Sequence, residues 1–193
     1  MPSPRVTLIA LASACQLLGT AGPAGAAAPA ACSSEQRFHA DLELDPTAYV
    51  LDGFSLHAGL GWRRLRLDLG VFGLTVPEFV HRQRDFDVAF DGYGVKLQYF
   101  PFAEQRGAFV GIDGAYSRST IRLEGSQLSA EDHQFALGAN AGVRIDLVGD
   151  LYLTPWLGVA YAFGADDVTL DGKTFSGRPL IIFPALHLGF RLR

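Results

Sequence analysis

The side chains able to do chemistry are few, and they fall in a pattern. His39, Asp41 and Glu43 occupy alternate positions of one short segment, His57 lies two residues after Ser55, and His187 and Arg191 stand close to the C-terminal end. Arg66, Asp68, Lys96, Asp113, Arg144 and Asp146 add charges at alternate positions of other segments. Imidazoles gathered with a carboxylate are the ligand types of a zinc site. A hydroxyl beside an imidazole is the beginning of a nucleophile and its base. The competing reading is inert: charges removed from water must find partners, and a set of both signs can do so among themselves. The choice depends on the elements that position these residues.

Those elements are read from alternation. From Gln134 to Phe163 two runs of strict period two are joined by Leu147, Val148, Gly149 and Asp150. Phe135, Leu137, Ala139, Ala141, Val143 and Ile145 form one face of the first run, and Gln134, Gly138, Asn140, Arg144 and Asp146 lie on the other. A period of two is a strand. The same reading gives strands over Arg37 to Asp45, Phe54 to Trp62, Leu65 to Phe72, Phe86 to Tyr99, Ala108 to Ser117, Gln134 to Asp146, Leu151 to Phe163 and Leu180 to Leu192. Pro46 ends the first, since it cannot donate to a ladder. Within Phe86 to Tyr99 the apolar set changes phase at Asp91-Gly92, which predicts a β-bulge. Pro155 and Pro184 fall inside strands and are expected near a rim or at bulges. The connections after the second, fourth and sixth strands are short. Those after the third, fifth and seventh, Leu74 to Asp85, Glu124 to Asp132 and Gly164 to Pro179, read as long polar loops.

The totals narrow the class. Of 193 residues 19% are charged, fewer than the roughly 25% of an average soluble domain. The long apolar run from Val6 to about Ala30 follows Arg5 and passes Ala24-Gly25-Ala26 and Ala28-Pro29-Ala30, the composition of a secretory signal peptide. Residues 1–30 are therefore expected to be signal peptide and leader, and residues 31–193 the domain. Losing Arg5 with the leader takes the net charge from −4 to −5, and no basic patch stands out, so no nucleic-acid partner is expected. Cys15 departs with the leader and leaves Cys32 alone, which excludes a disulfide framework or thiolate metal cluster.

Eight strands can close with the apolar face inward, as a soluble lipocalin-like barrel, or outward against lipid. The polar face decides, because it is largely Gly, Ala and Ser with scattered charges. That mixture suits the narrow interior of eight strands better than a water-facing exterior. The opposite face is almost uniformly Leu, Val, Ile, Phe and Tyr. Trp62, Tyr99, Tyr116, Tyr161 and Phe163 fall near strand ends, where aromatic girdles belong. The predicted fold is all-β, an eight-stranded antiparallel up-and-down transmembrane β-barrel after an N-terminal signal peptide. Over about Arg37 to Arg193 the chain resembles the small outer-membrane barrels of the OmpA and OmpX type. The resemblance rests on leader, strand count, loop asymmetry and the alternating final run Leu186-His187-Leu188-Gly189-Phe190-Arg191-Leu192-Arg193. That ending looks like the family's assembly signal, although the family usually terminates in an aromatic residue. The resemblance implies residence in the cell outer membrane as a monomer, with outer-membrane lipid and the outer-membrane assembly machinery as partners.

In such a ring the first strand pairs with the last. His39, Asp41, Glu43, His57, His187 and Arg191 then become neighbours, with Glu43, His57 and His187 at similar heights. A hydrogen-bonded and ion-paired plug, completed by Arg66, Asp68, Lys96, Asp113, Arg144 and Asp146, is the expectation, without catalytic residues, metal or cofactor. Ser55-Leu56-His57 invites comparison with the lipid A deacylases, also eight-stranded barrels. Their pattern places His before Ser, and this chain reverses it. Gly92-Tyr93-Gly94 has no helix after it and is no phosphate loop, and Asp166, Asp167 and Asp171 read as a solvated loop. The expected role is structural or surface-interacting, through the long loops. The alternatives are a lipid-modifying enzyme, a narrow ligand or ion conduit, and the soluble binding barrel.

Overall fold

The computed structural model describes residues 38–102 and 105–192. The leader, its cleavage signals, Cys15, Cys32, Arg37 and Arg193 lie outside the described residues. In chain order the elements are β1 (Phe38–Leu44), α1 (Pro46–Val50), β2 (Phe54–Trp62), β3 (Leu65–Val76), α2 (Glu78–His81), β4 (Phe86–Tyr99), β5 (Gly107–Leu123), β6 (Ser129–Asp146), β7 (Leu151–Phe163), β8 (Val168–Leu170), β9 (Lys173–Phe175) and β10 (Leu180–Leu192). Eight strands close an antiparallel ring, each pairing with its sequence neighbour and β10 pairing with both β7 and β1. β8 and β9 form a separate hairpin within the connection from β7 to β10. The ring has a turn end, where Arg63-Arg64 and Leu147 to Asp150 reverse the chain, and a loop end.

Alternation sorts the side chains as the sequence predicts. Leu67, Leu69, Leu97, Ile112, Leu137, Leu157 and Phe190 point outward and are exposed, while Asp41, Arg66, Asp68, Arg144 and Tyr152 point inward and are buried. Glycines on the inner face make room for those bulky groups. A Cβ on Gly70 would collide with the His57 ring, and one on Gly189 with the Tyr152 ring. At the loop end Tyr93 packs on Tyr116 at 5.5 Å between ring centroids and Tyr161 on Phe163 at 5.0 Å. At the turn end Phe38 stacks on Trp62 at 6.4 Å. Beyond the upper aromatic ring the outer surface becomes ionic, with Arg118 on Asp91 at 3.0 Å and Tyr116 Oη hydrogen-bonded to His133 Nδ1 at 2.9 Å.

Three sequence expectations are corrected. There is no bulge at Asp91-Gly92, because β4 stays in one register with β3 and with β5 through that point. Phe86 and Val88 point inward instead, where they form an apolar core with Ile121 and Leu123. Val76, Val168, Leu170 and Phe175 pack against that core. The phase change therefore marks where β4 leaves the apolar band and its inner face turns greasy. Likewise the connection after the fifth strand is not long: β5 runs to Leu123 and β6 starts at Ser129, so most of the expected loop is strand.

The prolines stand within ladders rather than at rims or bulges. Leu151 O accepts from Leu147 N on the β6 side, so the odd-numbered residues of β7 turn their backbone groups to β6. Pro155 is one of them, and the β6–β7 pairing lapses opposite Pro155 and Thr154, as a missing donor requires. Pro184 pairs with Leu157 in the continuous β7–β10 register and has its own consequence, developed below.

Candidate functional site

The turn-end half of the lumen is filled by charges from four strands, β1, β3, β4 and β6. Arg66, from β3 and 0% exposed, lies at the centre. Its Nε donates to Asp41 Oδ2 at 3.1 Å and its Nη1 to Gln98 Oε1 at 3.1 Å, while Nη2 lies 3.3 Å from Glu43 Oε2 and Nη1 2.9 Å from Asp68 Oδ2. Arg144 Nη2 donates to Glu43 Oε1 at 2.9 Å, and its guanidinium stacks over Tyr152 with 4.2 Å to the ring centroid. Lys96 Nζ donates to Asp68 Oδ1 at 2.9 Å. Asp41, Glu43 and Asp68 are thus matched by Arg66, Lys96 and Arg144. A one-to-one balance is what a water-poor interior demands, since a single uncompensated ion there costs several kcal/mol.

The imidazoles border this plug. His187 Nδ1 meets Glu43 Oε2 at 2.9 Å, and its ring centroid stands 4.6 Å from that of His57. Glu43, His57 and His187 do come together, as the ring closure predicts. His57 is committed on both sides, with Nδ1 to Asp68 Oδ1 at 2.9 Å and Nε2 to Ser55 Oγ at 3.1 Å. Ser55, His57 and Asp68 therefore form a hydroxyl–imidazole–carboxylate relay, the order that activates a nucleophile. Lys96 Nζ competes for it, lying 3.2 Å from His57 Nδ1 while holding the same Asp68 oxygen. Ser55 is 4% exposed. No group of three or more ligating side chains converges on one point among the described residues.

The other expected members are dispersed. Asp113 accepts from Asn140 Nδ2 at 2.8 Å, apart from the main network. Asp146 and Arg191 pair at the turn-end rim, where Arg106 Nε also reaches Asp146 Oδ2 at 2.8 Å. His39 lies beside Gly61 with Nε2 buried and unpartnered. Charge alone misses Gln98, Tyr152, Thr154 and Trp156, which fill the same space. Their signal is parity, because all four stand on the inward positions of β4 and β7.

Toward the loop end the lumen changes character. Its inward positions are Phe72, Phe90, Trp156 and Phe183 with small residues such as Gly94, Ala115, Ala136 and Ala160, several of them only half-buried. Phe72 meets Phe90 edge-on at 6.0 Å, and Trp156 meets Phe183 at 5.8 Å and His187 at 5.5 Å. The expectation of a charged, filled lumen thus holds for its lower half only. The upper half is an aromatic vestibule.

A closed ring leaves the backbone of its lower wall no unpaired edge, its exterior is a continuous apolar band between aromatic rings, and the lower half of its interior is ionic. That is the organisation of a transmembrane β-barrel of the small outer-membrane class. No protein-family model and no curated protein matches the sequence. Among solved structures the chain is similar to Neisserial surface protein A, at 18% identity over 80% of this chain and 94% of that one, with a TM-score of 0.46. It is also similar to a major outer membrane protein from Thermus thermophilus, at 14% identity over 80% of this chain and 98% of that one, with a TM-score of 0.47.

Proposed function

We propose that this protein is a non-enzymatic outer-membrane barrel that presents a rigid surface platform at its loop end and does not conduct. The observation that carries the reading is the balanced plug, in which Arg66, Lys96 and Arg144 neutralise Asp41, Glu43 and Asp68 across the lower lumen. An interior of eight strands is just wide enough for side chains to fill it, so these ion pairs leave no path for a solute. The platform is supported by the apolar core under the β8–β9 hairpin, which pre-organises the loops. On it α2 exposes Phe79, at 79%, beside Val80, Glu78, Arg82 and Arg84. Single-channel recording in planar bilayers tests the plug; the expected result is no conductance step, and a stable ion current overturns it. The partners implied are outer-membrane lipid and the assembly machinery that inserts barrels, with the protein acting as a monomer.

One observation favours a second reading as a lipid-modifying enzyme: the Ser55–His57–Asp68 relay. Serine-directed labelling with a fluorophosphonate probe discriminates the two. A non-enzymatic barrel stays unlabelled, whereas labelling abolished by Ser55→Ala supports the hydrolase.

A further inference from the structure

Strand β1 is too short to complete the wall. It ends at Leu44, which faces Leu188 of β10 and Leu56 of β2. Above that level β10 continues from His187 to Leu180 with β7 on one side and no strand on the other among the described residues. The orientation of its backbone follows from two hydrogen bonds: Arg191 N donates to Asp150 O and Pro179 O accepts from Ala162 N, both on the β7 side. Odd-numbered residues of β10 therefore turn their backbone groups to β7. Leu180, Ile182, Pro184 and Leu186 turn theirs to the open side. Pro184 at that edge removes one donor that would otherwise be stranded, the position where a strand tolerates proline.

The opening is flanked by hydrocarbon-like side chains. Leu180, Ile182 and Leu186 stand exposed on the outer face of β10, and Phe54 and Leu56 on that of β2. Leu180 is level with Tyr161 of the loop-end aromatic ring, since the two are register partners. The gap thus runs from the foot at Leu44 up to the loop-end girdle, within the apolar band. Behind it lies the aromatic vestibule, with Trp156 in register with Ala185 and Ala160 with Ile181. Helix α1, which contacts both β10 and β2, stands at the mouth of the gap. A wall that is closed there by α1 and by side chains, with no strand paired to β10 among the described residues, opens without breaking a hydrogen-bonded ladder.

We propose that this seam is a lateral portal through which the acyl chain of an outer-leaflet lipid enters the upper lumen and lies against Trp156, Phe183 and Ile181. The occupant follows from the surroundings: the seam faces hydrocarbon, both its lips are apolar, and the wall directly behind it is Trp156, Ala160, Ile181 and Phe183, with the nearby Asp113 carboxylate held by Asn140. The ionic plug below sets the depth of entry, because an alkyl chain gains nothing against Arg66 or Lys96. The inference rests on the membrane-barrel reading and adds to it a binding site.

The chain has two tryptophans, one on each side of the wall, and they supply the test. Trp62→Phe leaves Trp156 as reporter of the vestibule; Trp156→Phe leaves Trp62 as reporter of the outer surface. Each variant is refolded into phosphatidylcholine vesicles whose acyl chains carry bromine at mid-chain, and fluorescence is compared with that in unbrominated vesicles. The expected result is that Trp156 loses as large a fraction of its emission as Trp62, and that Ala160→Leu in the Trp62→Phe background, which narrows the vestibule, restores it. Full emission from Trp156 while Trp62 is quenched overturns the portal, whether or not aqueous iodide reaches Trp156. Full emission from both overturns the membrane reading, and the portal with it.

Discussion

At the scale of single residues the plug behaves as one electrostatic unit, so its members should not be separable. Replacing Arg66 by Met leaves Asp41, Glu43 and Asp68 facing two cations in a buried space. Removing one partner of a buried pair costs about 3–5 kcal/mol. The expected outcome is an Arg66→Met barrel that loses its folded, fast-migrating form on unboiled gels at a lower temperature. An Arg66→Met, Asp41→Asn double variant should recover part of that loss. His81 gives a second residue-scale prediction, outside the ring. Burial holds its pKa below the ordinary imidazole value, with Arg178 acting in the same direction against Glu78 and Asp87. The neutral form is therefore the one that packs beside Phe175 at 6.2 Å. The unfolded segment binds the proton more readily, so stability is complete above about pH 6.5 and falls as the pH drops below it. Hydrogen-exchange protection of residues 77–85, taken relative to the intrinsic rate at each pH, should fall between about pH 7.5 and about pH 5 in the protein and not in His81→Asn. Most of the plug was legible from sequence, since charges on the polar face of a narrow barrel have nowhere else to go. Its pairing was not legible, because which cation meets which carboxylate depends on the stagger of the ring.

At the scale of elements, the loop end is a small globular unit built on the extended strands β3 to β6. Ile121, 1% exposed, sits in its core with Phe86, Val88 and Leu123. Ile121→Ala should cost about 2–5 kcal/mol of local stability while leaving the ring closed. Limited proteolysis checks this: cleavage between residues 164 and 179 should accelerate without loss of the heat-modifiable band, whereas loss of that band would show that the core supports the ring itself. This unit escaped the sequence reading for two physical reasons. An inward apolar face is the reverse of the pattern in the membrane band, so continuity of a strand across the boundary looked like a bulge. And Asp171-Gly172, both with positive φ, joins alternating runs through a two-residue hairpin turn, a signal overshadowed by the acidic character of the loop. The short reach of β1 was visible in Pro46, but its effect on the wall follows only once β10 is seen to continue eight residues beyond its last partner.

At the scale of the whole molecule, everything depends on which face meets lipid. The assignment was available in the sequence because the two faces differ along β7 and along β6 from Gln134 to Asp146; the vestibule and the seam were not, because they arise from relative strand lengths. One barrel joins three layers: an ionic plug, an aromatic vestibule beside the seam, and a loop-end platform. Nitroxide scanning of β6 tests the central claim most directly, with single cysteines from Phe135 to Ile145 in a background carrying Cys15→Ser and Cys32→Ser, reconstituted in vesicles. Collision with dissolved oxygen, which concentrates in the bilayer, should be high at Phe135, Leu137, Ala139, Ala141, Val143 and Ile145 and low at the residues between them. High accessibility to a water-soluble nickel reagent at Leu137, Ala139 and Ala141, with oxygen favouring Gly138, Asn140 and Gly142, would contradict it.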